Sequence, residues 1–173
     1  GESAYYLCAN RNKRSVALDL SSAEGQRIIR ELAAQSDVVV ENFKTGALQR
    51  YGLDYESLRQ VRPDLIYCSI SGYGRSSPLA DRAGYDYVVQ AEAGLMSITG
   101  EPGGEPMKVG VAVADLFTGM VAVQAILAAI IARRNDGAAC VYFPVRRRTC
   151  PGGRRDGRRR DHRHRAEAQR KHA

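Results

Sequence analysis

The chain has 173 residues, 44% of them apolar and 26% charged, which is ordinary for a globular protein and enough for one domain with its own core. Its formal charge of +7 would suggest a nucleic-acid binder, but the excess is local: residues 146–173 carry 12 Lys/Arg against 3 Asp/Glu, whereas residues 1–145 carry 14 against 16. All three histidines, His162, His164 and His172, lie in that basic stretch, which leaves the body without imidazole for acid, base or metal chemistry.

Cys8, Cys68, Cys140 and Cys150 are far apart and show no CxxC spacing, which argues against a zinc or thioredoxin-like site and for free thiols in a reducing cytoplasm. No basic region followed by an apolar one opens the chain as a secretory signal would.

SVALDL, Ser15 to Leu20, alternates as a strand does, and SSAEGQRIIRELAAQSD has helical spacing at Ile28, Ile29, Leu32 and Ala33, with Ser21 and Glu24 placed as a capping box. DVVVENF, residues 37–43, is a short apolar run of the kind found in a parallel strand covered on both faces. A helical piece, ALQRYG, leads to DYESLRQVRP, in which Asp54 is placed to cap and Pro63 to stop a helix. DLIYCSISGYG then reads as a third strand running into a glycine-rich loop. The alternation predicts an α/β fold, an open Rossmann-like and mostly parallel sheet with flanking helices. Ligands of such sheets gather beyond the carboxyl ends of the strands, here ENFKTG and SGYGRSSP. Neither GxGxxG nor GxxxxGK[ST] is present, so no dinucleotide or P-loop fingerprint supports a nucleotide enzyme.

VGVAVADLFTGM, residues 109–120, contains a single carboxylate, Asp115, at the start of the apolar segment Leu116 to Ala132. On residue type Asp115 is a helix N-cap or a reactive group. The segment is a short membrane span or, given Thr118, Gly119 and Gln124, a helix buried on all sides. Beyond it, residues 138–173 have no apolar periodicity and are expected to be disordered, with a nucleic-acid-binding arm as the alternative. No aromatic residue is interleaved among the tail's basic residues for base stacking, which counts against nucleic acid as a partner.

Together NRNKRSVALDL, ENF followed by GALQRYGLDYESL, LIYCSISGYG, AGYDYVVQAEAGLMSITGEPGGEP and VAVADLFTGMVAVQAILAAI resemble the class III CoA-transferases, in order and spacing, over residues 9–137. The resemblance implies transfer of CoA from an acyl-CoA thioester to a small carboxylic acid. CoA serves as substrate, no cofactor is permanently bound, no metal is used, and the intact enzyme is an interlocked homodimer. It places the nucleophile on Asp115 and a supporting active-site role on Asp86 of GYD. CoA contacts fall on Asn42 and Phe43 of ENF, on Ala47, Arg50 and Tyr51 of GALQRY, and on Arg14 of NRNKR. Many relatives carry Lys where Ser21 stands, so either CoA affinity is reduced here or Lys13 and Arg14 compensate.

Against the family pattern, residues 1–137 read as part of the large domain, lacking its first strand and helix, and the departure after Gly137 reads as an out-of-frame tail. A chain so incomplete is not expected to complete turnover by itself. The racemase branch, which acts on α-methylacyl-CoA esters, typically has His where Tyr85 stands here, so the transferase reading is favoured. A non-catalytic remnant with a basic nucleic-acid-binding tail is the other alternative.

Overall fold

The computed structural model describes residues 3–136 and 141–142. Three parallel strands, β1 (Val38–Glu41), β2 (Ile66–Ser69) and β3 (Val141–Tyr142), form one sheet in the order β1-β2-β3. The helices are α1 (Ala4–Asn10), α2 (Ala23–Ala34), α3 (Tyr55–Val61), α4 (Asp86–Glu92) and α5 (Val113–Asp136), with a 3-10 turn at Gln49–Tyr51. The parallel α/β architecture agrees with the sequence reading. The tail expectation lies outside the described residues, apart from Val141 and Tyr142.

The core forms where α2 and α3 cover β2. Ala33, Leu48, Leu53, Leu58, Leu65 and Tyr67 make one buried cluster, with Ile29, Val39 and Tyr55 packed against it. Every residue of β2 is buried, as a central strand requires. β1 departs from the expectation of two covered faces: it is an edge strand, and Val40 is 55% exposed.

Three local expectations need correction. Ser15 to Leu20 forms no strand, and Val16 is exposed; β-branched residues make a strand only where a neighbour accepts the ladder, and none of the described strands pairs with this segment. The cap of α2 is Ser22, whose Oγ accepts from Gly25 N at 3.0 Å. Ser21 donates instead to Asp19 through both N and Oγ, and Glu24 pairs with Arg27, so the cap moves on by one residue and the predicted box does not form, Gly25 standing where its Glu would be needed. Asp54 does occupy the N-cap position of α3, but its carboxylate accepts from Ser57 Oγ rather than from a backbone amide.

α5 starts at Val113, so Asp115 lies inside its first turn and is not the cap. The helix is also not buried on all sides. Ala122, Ala125 and Ala129 form its covered stripe, while Phe117, Met120, Leu127 and Ile131 stand more than half exposed. By length and composition alone its Val113–Asn135 stretch could cross a membrane. Small residues bring this helix close to the sheet, where it contacts β2.

An ion-pair cluster fixes the far end of α5. Arg133 Nη1 donates to the Asp64 carbonyl at 3.1 Å, and its Nη2 donates to Asp37 Oδ1 at 2.8 Å, just before β2 and β1 begin. Arg62 donates to both Asp37 and Asp64, and its hydrogen bond holds the Asp64 carboxyl below the usual range. A lowered carboxylate stabilises the fold at neutral pH, and that contribution disappears as acid titrates the folded state. Arg133→Met should lower unfolding free energy by about 1–2 kcal/mol in urea denaturation, since the apolar stem is kept and only the donors are lost. An unchanged midpoint would show that the cluster is ornamental.

Candidate active site

The carboxyl ends of β1 and β2 open into a cleft of about 530 Å³, lined among others by Asn42, Ser71, Tyr85, Asp86, Asp115 and Thr118. Its floor is set by a close crossing of two loops: a Cβ on Gly72 would lie 2.5 Å from Gly84 Cα, so only glycine permits SGYG and AGYD to meet there. Gly84→Ala should therefore destabilise the domain by about 1–3 kcal/mol, because backbone must move to admit the methyl group. Denaturant titration checks this, and a cost below about 0.5 kcal/mol would mean that the crossing is loose.

Asp86, the first residue of α4, supplies the cap that Asp115 was expected to provide. Its Oδ1 accepts from Ala114 N at 2.7 Å and Asp115 N at 3.2 Å, two of the first-turn amides of α5 that have no intrahelical acceptor. Its Oδ2 accepts from Gln90 Nε2. These first-turn amides therefore serve Asp86 and do not hold Asp115 ionised. The Asp115 carboxyl is raised above the usual aspartate range, first by partial withdrawal from water and then by the negative charge of Asp86.

Asn42 and Phe43 leave the end of β1 beside this cleft. They also line a second hollow of about 280 Å³ together with Lys44, Thr45, Asp81 and Arg82; Asn42, Ser71, Gly72 and Gly84 belong to both spaces. Asn42 Nδ2 donates to the Ile70 carbonyl at 2.8 Å, which ties the two strand ends together. Arg82 is engaged by Glu92 at 2.6 Å, and Lys44 is exposed.

The other sequence-predicted residues do not line these spaces. Arg14 belongs to a separate hollow of about 760 Å³ with Tyr6, Arg11 and Lys13, between α1 and the segment that follows it. Ala47 precedes the Gln49–Tyr51 turn, where the Arg50 guanidinium lies over the Tyr51 ring at 4.6 Å. Tyr51 also packs against the core cluster, and its carbonyl accepts from Arg30.

Two residues passed over in the sequence shape the site. Gln90, on α4, is 1% exposed. Glu41 is buried, and its carboxylate accepts from Ser69 Oγ, from Arg75 Nη1 at 2.9 Å and from Phe43 N at 2.7 Å. A carboxylate closing an apolar strand run was the available signal for Glu41. Among the described residues, no group of three His, Cys, Asp or Glu is placed to hold a metal.

Two helix-borne aspartates, Asp86 and Asp115, thus face a cleft at the strand ends. Residues 1–142 match the family described as CoA-transferase family III. The chain is 58% identical over 134 residues to the succinate–glutarate CoA-transferase of Agrobacterium fabrum, covering 78% of this chain and 34% of the relative. It is 49% identical over 136 residues to human succinyl-CoA:glutarate CoA-transferase, covering 79% and 31%. A crystal structure of a CAIB/BAIF family protein from Brucella suis superposes with a TM-score of 0.77 at 50% identity, over 82% of this chain and 37% of that one. The chain thus spans about a third of the length of the curated relatives it matches. With the family match running through both strand-end loops and the whole of α5, the chain belongs to CoA-transferase family III.

Proposed function

We propose that the protein containing this chain transfers CoA from an acyl-CoA thioester to a free carboxylate, with Asp115 as nucleophile. The supporting observation is that, among the described residues, Asp115 is the carboxylate at the cleft whose side chain makes no hydrogen bond, whereas the neighbouring Asp86 is committed to two amides and Gln90. A raised carboxylate is also a better nucleophile than one neutralised by donors.

The sequence of steps balances without ATP. An Asp115 oxygen attacks the donor carbonyl, forming a mixed anhydride and expelling CoA thiolate. The thiolate attacks the aspartyl carbonyl, giving an aspartyl-CoA thioester and releasing the donor acid. The acceptor carboxylate then attacks that thioester, and the thiolate finally takes the new acyl group and regenerates Asp115. No proton is moved by the protein, which suits a site without histidine.

The names of the relatives favour short dicarboxylic acids, of the succinate and glutarate class, as acyl groups. Asn42, Phe43, Ala47, Arg50 and Tyr51 would hold the adenine and phosphates of CoA, and Arg14 would face a phosphate. The homodimer inferred from the resemblance belongs to the same reading, supported by the uncovered apolar side of α5. Among the described residues Cys8 and Cys68 form no disulfide, which fits the cytoplasmic placement that belongs to the same reading. The test is incubation of the longer protein that contains this chain with succinyl-CoA, followed by hydroxylamine trapping and peptide mass spectrometry. A hydroxamate at Asp115 is expected; a mark elsewhere, or none, would overturn the assignment.

A further inference from the structure

Gln90 sits in the middle of α4, almost completely buried, with both ends of its amide engaged. Nε2 donates to Asp86 Oδ2 and, at 3.5 Å, approaches the Val111 carbonyl. Oε1 accepts from Val109 N at 2.9 Å. One side chain therefore joins three parts: the carboxylate that caps α5, the segment that enters α5, and the helix α4 that carries both Asp86 and Gln90. A buried amide with matched donor and acceptor rigidifies what it touches, because each lost bond leaves a polar group unsatisfied.

We propose that Gln90 is a positioning residue for Asp115: by clamping Asp86 Oδ2 and Val109 N at once, it holds Asp86 Oδ1 on the Ala114 and Asp115 amides and fixes the first turn of α5 in the cleft. The catalytic meaning of this clamp rests on the proposed role of Asp115; the clamp itself does not. Asp86 then acts through Asp115 rather than by exchanging protons, since both its oxygens are occupied. Spacing supports the assignment, because Asp86 and Gln90 lie four residues apart and face one another on α4.

Two substitutions separate the functions of the amide. Gln90→Glu keeps an acceptor for Val109 N but replaces the donor to Asp86 by a like charge. Gln90→Met removes both bonds at similar volume. In the 173-residue chain, amide hydrogen exchange should show Val109 still protected in Gln90→Glu, with Ala114 and Asp115 exchanging about tenfold faster. Gln90→Met should speed all three, and Asp86→Ala should speed Ala114 and Asp115 while folding is retained. A packing role alone would not produce this split between Val109 and the α5 amides. If Ala114 and Asp115 keep wild-type protection in both Gln90 variants, the clamp is wrong. Should Gln90→Glu fail to fold, Gln90→Met decides by the same amides. Trapping with succinyl-CoA is run alongside in the longer protein that contains this chain: absence of a mark at Asp115 there, with the expected exchange pattern, would remove the chemical reading and leave the clamp standing.

Discussion

In the longer protein that contains this chain, Asp115→Asn is expected to abolish CoA transfer, with capture of the acyl or CoA group falling at least about 10³-fold, while the fold is retained or slightly stabilised. Loss of the nucleophile cannot be rescued from nearby, because both oxygens of Asp86 are held by the α5 amides and Gln90. Retention of the fold follows because Asp86 caps α5 and Asp115 does not. The sign of the stability change follows from the raised Asp115 carboxyl. In a pH window above the ordinary aspartate value the folded state binds more proton than the unfolded state, so the wild type loses stability as pH rises through that window. Asn carries no such charge, so thermal midpoints of wild type and Asp115→Asn should diverge upward in pH, with the variant higher. A variant that melts lower at neutral pH would mean that Asp115 makes a structural contact after all. A variant that still transfers CoA would end its assignment as nucleophile.

Much of the site was legible in the sequence because its carriers are local. The apolar runs ending in ENF and in SISGYG gave parallel strands, and strands of that kind expose their carboxyl ends to ligand. Asp115 was legible as the one charge in a long uncharged run. Its partner relations were not. Capping by Asp86 crosses 28 and 29 residues of chain, and residue type alone favours the nearer Asp115 for that task. Gln90 was invisible because an amide in an alanine- and valine-containing helix has the same look whether it is solvated or clamped. The segment Ser15 to Leu20 misled for the opposite reason: its local pattern is a strand pattern, and the lack of a pairing neighbour among the described strands leaves it without regular structure, with Leu20 packed against the core cluster.

The largest loss of stability should come from Glu41→Ala, at about 3–5 kcal/mol, the usual cost of removing one partner from a buried charged pair. Glu41 is the last residue of β1, its side chain is 5% exposed, and that of Arg75 is 23% exposed. Its removal strands three donors at once: the Arg75 guanidinium, Ser69 Oγ and Phe43 N. Arg75 and Ser69 keep one bond between them at 2.7 Å, but neither retains an acceptor of full negative charge. The damage should reach the cleft, because Phe43 and Asn42 follow Glu41 directly, and Asn42 borders both hollows. Arg75→Met alone should cost less, since Glu41 would keep Ser69 Oγ and Phe43 N. A double-mutant cycle in urea denaturation should return a coupling of about 2 kcal/mol between Glu41 and Arg75. Coupling below about 0.5 kcal/mol would show that water substitutes freely for the guanidinium, and Glu41 would then owe its burial to Ser69 and Phe43 alone.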